Sequence, residues 1–231
     1  VFEEYKTLET KVFVVHELQN DFGKFIFFLK DNIRHKQWHI SYNGLAFDAQ
    51  VSHYILDNFE SWSDYTPSEI ANAIYLYAQR CIQKSNNKEW SDYAQWKMQI
   101  GQIDLFKLHH WDNPAKRSSL KWIQYSMDWE NILDMPIHHE TKIETKDQLD
   151  IIVEYCVNDV KSTKEIFKKS IQEIKLRKEL TNAYGVNMYS ASEPRISKEI
   201  FSYYLSRNLN IPKRDLRMMR TFRDVIKIKD I

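Results

Sequence analysis

Ile40-Ser41-Tyr42-Asn43-Gly44-Leu45-Ala46-Phe47-Asp48 (ISYNGLAFD) decides how the chain is read. Residues 37–42, QWHISY, alternate in polarity and predict a strand. Asn43-Gly44 ends it, and AFDAQVSHYILDNF then takes up helical spacing. A strand that hands over to a helix through a short turn is the repeating unit of α/β proteins, which place their chemistry at the carboxyl ends of strands. Asp48 falls one turn into the apolar run of Phe47, Val51 and Tyr54, where a carboxylate needs a partner, a metal or solvent. As an acid at a helix start it also suits the helix dipole.

Outward from this stretch the same signals recur. Residues 11–18 (KVFVVHEL) and 24–30 (KFIFFLK) read as two strands joined at QNDFG, a hairpin. Thr66-Pro67-Ser68-Glu69 opens a helix running to about Ser85, with Thr66 as cap and Glu69 as its reciprocal partner. A short strand is expected at about 102–106, and Ser118 or Ser119 caps the helix SSLKWIQYSM. Thr145 with Gln148 opens another helix through YCVNDV to about Tyr184, just ahead of Gly185. Trp122, Tyr125 and Trp129 recur at helical spacing and are expected in the core, as are Cys81 and Cys156. The element order predicts an α/β fold, a mixed central β-sheet flanked by α-helices. A boundary falls at about 185–193, separating residues 1–185 from a helical segment at 186–231.

Composition narrows the function classes. Two cysteines cannot staple a secreted chain of 231 residues, and fit a reducing compartment. No 18-residue apolar run is present, so no membrane partner is expected. VFEEYK begins the chain without Met and without the features of a signal peptide, as expected of a trimmed sequence. No Walker-type loop or dinucleotide fingerprint appears, so no nucleotide cofactor is implied. Adjacent histidines at 109–110 and 138–139, without HExxH or a cysteine cluster, do not predict zinc. Formal net charge is +1, but residues 195–231 carry ten Lys or Arg against four acids. That basic tail suits phosphate, and equally a solvated helix face.

The second stretch with chemistry is Tyr155-Cys156-Val157-Asn158-Asp159. Tyr155 and Asp159 stand at i and i+4, so a hydroxyl and a carboxylate share one helical face. Read together, ISYNGLAFD and YCVND resemble the second and third motifs of the proofreading 3′–5′ exonuclease domains of DNA polymerases. This is the DEDD superfamily with tyrosine in its third motif, on a ribonuclease H-like fold. Asn43, Phe47 and Asp48 match one motif, and Tyr155 and Asp159 the other. The likeness extends over IDLFKLHHWDNPAKRSSLKWIQYSMDWENILDMPIHH, similar to that section of phage-type polymerases. NMYSASEPRISKEIFSYYLSRNLNI is similar to the linker toward the polymerase body.

The resemblance implies hydrolysis of a single-stranded DNA 3′ end by two divalent ions, Mg²⁺ or Mn²⁺. It further implies a polymerase domain of the same protein as partner, and phage replication in the host cytoplasm as setting. Asp48 and Asp159 would be metal-associated, Tyr155 would orient the attacking water, and Asn43 and Phe47 would meet the substrate strand. Lys121 could contact phosphate and His139 could face the substrate, although a surface lysine and a solvated loop histidine are the plainer expectations. The first motif, Asp-x-Glu, is degenerate. Glu3 stands in the Asp place and Tyr5 in the Glu place; if Glu4 is instead the family Glu, the Asp is missing. Glu3 and Glu4 are therefore the candidate remaining ligands, and a catalytically inactive DNA-binding or structural domain is the alternative reading.

Overall fold

A computed structural model describes residues 1–138 and 141–217, without the side chains of Lys116 and Arg217. The expected helix starts form with their caps. Helix α3 (Pro67–Asn86) begins on a complete capping box, Glu69 N donating to Thr66 Oγ1 and Thr66 N to Glu69 Oε2. Helix α6 (Lys146–Lys169) begins the same way on Thr145 and Gln148. The strand predicted at 37–42 is β5 (Trp38–Ser41), and α2 (Asp48–Asn58) follows with Asp48 as its first residue.

One expectation is overturned. Residues 24–30 are not a strand but the middle of helix α1 (Phe22–Arg34). Seven apolar-rich residues do not distinguish strand from helix by themselves. The helix becomes visible only with the residues beyond: Ile26, Leu29 and Asn32 recur at helical spacing and are buried, while Phe27 between them is 73% exposed. The hairpins lie elsewhere. β1 (Phe2–Glu3) pairs antiparallel with β2 (Thr10–Lys11), and β3 (Val15–His16) with β4 (Gln19–Asn20).

The expected single central sheet is likewise divided, among the described residues, into three two-stranded ribbons. The third is parallel: β5 runs beside β6 (Gly101–Asp104), with Ser41 opposite Asp104. A parallel pair needs a long crossover, here supplied by α2 and α3. The rings of Phe2 and His39 approach to 5.2 Å, packing the first ribbon beside the third. The fold is thus mixed α/β with small sheets.

Two cores flank the parallel pair. Ile26, Ile55, Trp62 and Ile70 join α1, α2 and α3. Ile103, Leu105, Leu108, Ile123 and Ile166 join β6 to α4 (Leu105–Leu108), α5 (Leu120–Ser126) and α6. The long helix expected to reach Tyr184 breaks at Ser170, which is buried and whose Oγ donates to the Ile166 carbonyl and meets His109 Nε2 at 2.7 Å. Helix α7 (Ile171–Tyr184) follows and ends on Gly185 in the left-handed region at φ +66°, which glycine adopts without a Cβ clash.

Past Gly185 the chain stays attached to this body. Met188, Ser190 and Ala191 are buried. The buried Arg177 guanidinium donates to the carbonyls of Leu108, Glu173 and Ala191. Helix α8 (Glu193–Leu209) then begins with Pro194 in its first turn. The basic residues beyond Arg217 lie outside the described residues, and no helix among those described is long and apolar enough to cross a membrane.

Candidate functional site

The turn that carries Asp48 is held from below by a residue the sequence reading did not single out. Asp104, fully buried at the end of β6, accepts the backbone amides of Asn43 (2.9 Å) and Leu45 (3.1 Å) and also caps α4 through Phe106 N. Burial pushes its carboxyl up to about 6, opposed by those amides. Asn43 takes φ +63°, a conformation Asn tolerates better than most residues. Gly44 is required for close approach: a Cβ there would lie 2.0 Å from Ser41 Oγ and 3.4 Å from Asp48 Oδ2. Phe47 forms the helix N-cap position, partly buried beside Asp48.

Helix α2 is locked by two buried polar side chains. Gln50 donates to the carbonyls of Leu45 and Tyr93 and accepts Tyr93 N, each at 2.9 Å. His53 accepts Gln99 N on Nε2 at 3.0 Å, leaving Nδ1 to donate to the Ala49 carbonyl at 2.7 Å. Polar residues inside the apolar pattern AQVSHYIL were the available signal for both.

Asp159 is set by the neighbouring helix. Gln124 of α5, fully buried, donates Nε2 to Asp159 Oδ1 (3.0 Å) and to Ser162 Oγ (2.8 Å). Trp129 Nε1 donates to Asn158 Oδ1, and Asn158 Nδ2 to the Asn131 carbonyl, tying the loop after α5 to the same face of α6. The Tyr155 hydroxyl faces Asp159. Burial, then the adjacent Asp159 charge, push its pKa up to about 12, so it stays a neutral phenol.

The charges of both motif carboxylates reach one side chain. Cys156 has its thiol pKa raised by burial first, and the charges of Asp159 and Asp48 both add to that rise. Two residues 111 apart in sequence thus act on one side chain. Solvent reaches Asp48, yet protein crowds it on most sides, and the crowding raises its pKa.

The first strand completes the cluster differently from the register expected of it. The Glu3 side chain is only 5% exposed and its Oε1 pairs with Lys164 of α6, while its Oε2 is buried without a hydrogen-bond partner. Alternation would put both Val1 and Tyr5 on the face of Glu3, but β1 ends at Glu3, before Tyr5. Tyr5 lies beyond the strand, its ring 4.9 Å from Phe167. Glu4 is exposed in the hairpin turn, accepting from Thr7 Oγ1. Lys121 lies close by in an exposed ion pair with Asp134, whose charge also acts on Tyr155. His139 lies outside the described residues.

All the site's donors are oxygens, which suit a hard divalent ion, and the unclaimed Glu3 Oε2 leaves a buried acceptor for one. Among the described residues, no three His, Cys, Asp or Glu side chains gather as a metal cage. Asp48 and Asp159 are the carboxylates that would hold such an ion, while Glu3 is engaged by Lys164.

The outer face of α5 differs from expectation. Trp122 and Tyr125, expected in the core, are 60% and 68% exposed. Ile123 and Gln124 are the buried residues of that helix, with Leu120 partly buried against the same core, because seven residues give two turns and one narrow inward stripe. Comparison with protein-family models, curated proteins and solved structures finds no match to this chain.

Proposed function

We propose that residues 1–185 act as a 3′–5′ exonuclease domain of a phage-type DNA polymerase, on a ribonuclease H-like arrangement, trimming the single-stranded 3′ end of DNA. Residues 186–231 lead toward the polymerase part. The reading is supported by the Tyr155–Asp159 pair on α6, by the charges of Asp48 and Asp159 both reaching Cys156, and by the Glu3–Lys164 bridge that sets the first strand against the same helix. Asp48 and Asp159 would hold Mg²⁺ or Mn²⁺, which would supply Lewis acidity for phosphodiester hydrolysis. Tyr155, neutral at working pH, donates a hydrogen bond that orients water and does not act as a base. Asn43 and Phe47, in the turn that leads into Asp48, would meet the terminal nucleotide.

A second reading, an inactive DNA-binding module, has its own observation. Lys164 neutralises Glu3, and Val1 stands where a second first-strand carboxylate would face the site. The test is nucleotide release from single-stranded DNA with Mg²⁺ or Mn²⁺. Slow release is expected from the unmodified chain, loss with Asp48→Asn or Asp159→Asn, a fall of about 100-fold with Tyr155→Phe, and a gain with Val1→Asp. Absence of release from both the unmodified chain and Val1→Asp rejects the exonuclease and leaves the binding module.

A further inference from the structure

Helices α5 and α6 meet through an apolar core that includes Ile123 and Ile166, and Gln124 lies fully buried at the same junction. Its Nε2 donates twice, to Asp159 Oδ1 and to Ser162 Oγ, while its Oε1 is buried without a hydrogen-bond partner. A methionine of similar volume would suit such an interior better, because a buried carbonyl without a donor has given up its water for nothing. Turning the amide over does not mend this. Oε1 would then stand at the 3.0 Å from Asp159 Oδ1 that Nε2 now holds, acceptor against acceptor. The Ser162 hydroxyl is itself directed at the Asp159 carbonyl, 3.0 Å away. Asp159 therefore dictates which way the amide points, and the unmade bond is the cost of serving it.

We infer that Gln124 is a positioning residue, whose amide fixes the Asp159 carboxylate in the orientation that takes the divalent ion. The inference rests on the metal-holding role proposed for Asp159 above. A neutral donor suits this task where a cation does not. Lys164 cancels the charge of Glu3, whereas the Gln124 amide ties one oxygen of Asp159 and leaves its negative charge to the ion. An untied carboxylate turns about its side-chain bonds, and an ion that must first stop that rotation binds more weakly. Removing outer partners of this kind lowers metal affinity by about 10- to 100-fold.

Mn²⁺ binding to the full chain, read from the electron paramagnetic resonance of the free ion, tests this without turnover. Asp159→Asn should abolish the binding seen in the unmodified chain. Gln124→Met should weaken it about tenfold. Gln124→Asn, which withdraws the amide by one methylene, should weaken it as well, and answers the question if the methionine variant does not fold. Trp129→Phe removes a different bond between the loop after α5 and α6, that of Nε1 to Asn158 Oδ1, and should leave the affinity unchanged. Undiminished affinity in the Gln124 variants, or equal weakening by Trp129→Phe, overturns the positioning role and leaves Asp159 a ligand. No binding by the unmodified chain, or binding that survives Asp159→Asn, rejects the metal-holding role of Asp159 and that of Gln124 with it, so the two failures are distinct.

Discussion

Gln124 Nε2 donates to Asp159 Oδ1 at 3.0 Å, so a seven-residue helix fixes the orientation of a carboxylate on its neighbour. The amide is fully buried, and its Oε1 has no hydrogen-bond partner. Gln124→Met keeps volume and removes the donor, leaving Asp159 and Ser162 each one bond short. A loss of about 1–3 kcal/mol in chemical denaturation is expected. Gln124→Glu should cost more than Gln124→Met, because it buries a second carboxylate against Asp159. The reverse order would show that Asp159 does not depend on this donor.

The Glu3–Lys164 pair bridges β1 to α6 from largely buried positions. Lys164→Met strands the Glu3 carboxylate, and a loss of about 3–5 kcal/mol is expected. Adding Glu3→Gln should restore most of it, because the uncompensated charge is then gone. Urea unfolding of the four chains in a double-mutant cycle measures the coupling; additive losses would contradict the pairing.

Asp104 makes stability depend on pH. Folding raises its carboxyl from about 4 to about 6. Across that interval the folded protein holds a proton that the unfolded chain has released. The group's contribution to stability is therefore full below about pH 4 and is lost as pH rises through 6. Asp104→Asn should flatten this dependence while lowering stability throughout, since an amide NH₂ then faces the Asn43 or Leu45 N–H. Thermal midpoints across pH 4–7 test it (roughly the span of the shift), and an unchanged slope would contradict it.

Gly44→Ala should destabilise by about 1–3 kcal/mol, because the added methyl meets Ser41. Adding Ser41→Ala should not rescue it: the Ser41 Cβ would remain 2.5 Å from the new atom. Rescue would show that only the hydroxyl obstructs.

What was legible in the sequence was what local chemistry decides alone. Thr66 with Glu69, Thr145 with Gln148, and Gly185 mark helix ends because each satisfies backbone groups within a few residues. The strand-to-helix turn that carries Asp48 was legible from the change of periodicity across Asn43-Gly44. Residues 24–30 were misread because strand-forming side chains there are outvoted by a helical burial pattern running to Arg34. Ser170 breaks a helix through contact with His109, a partner distant in sequence. Asp104 and Gln124 act through long-range hydrogen bonds that spacing does not announce. Trp122 and Tyr125 illustrate the opposite limit: helical spacing shows that residues share a face, but not which way the face turns.

Ser190 Oγ accepts the Asp104 amide at 2.9 Å, three residues before α8 begins, and Arg177 clamps the Ala191 carbonyl beside it. The arrangement works as a tether. Tension applied along α8 is taken up at Ser190 and Ala191 before it reaches Gly185, and part of it enters α7 through Arg177. Close-packed interiors pass strain on without dissipating it, and from Ser190 the load path runs through Asp104 to the amides of Asn43 and Leu45. Whatever pulls or twists the helix leaving this body therefore has a mechanical grip on the turn that carries Asp48.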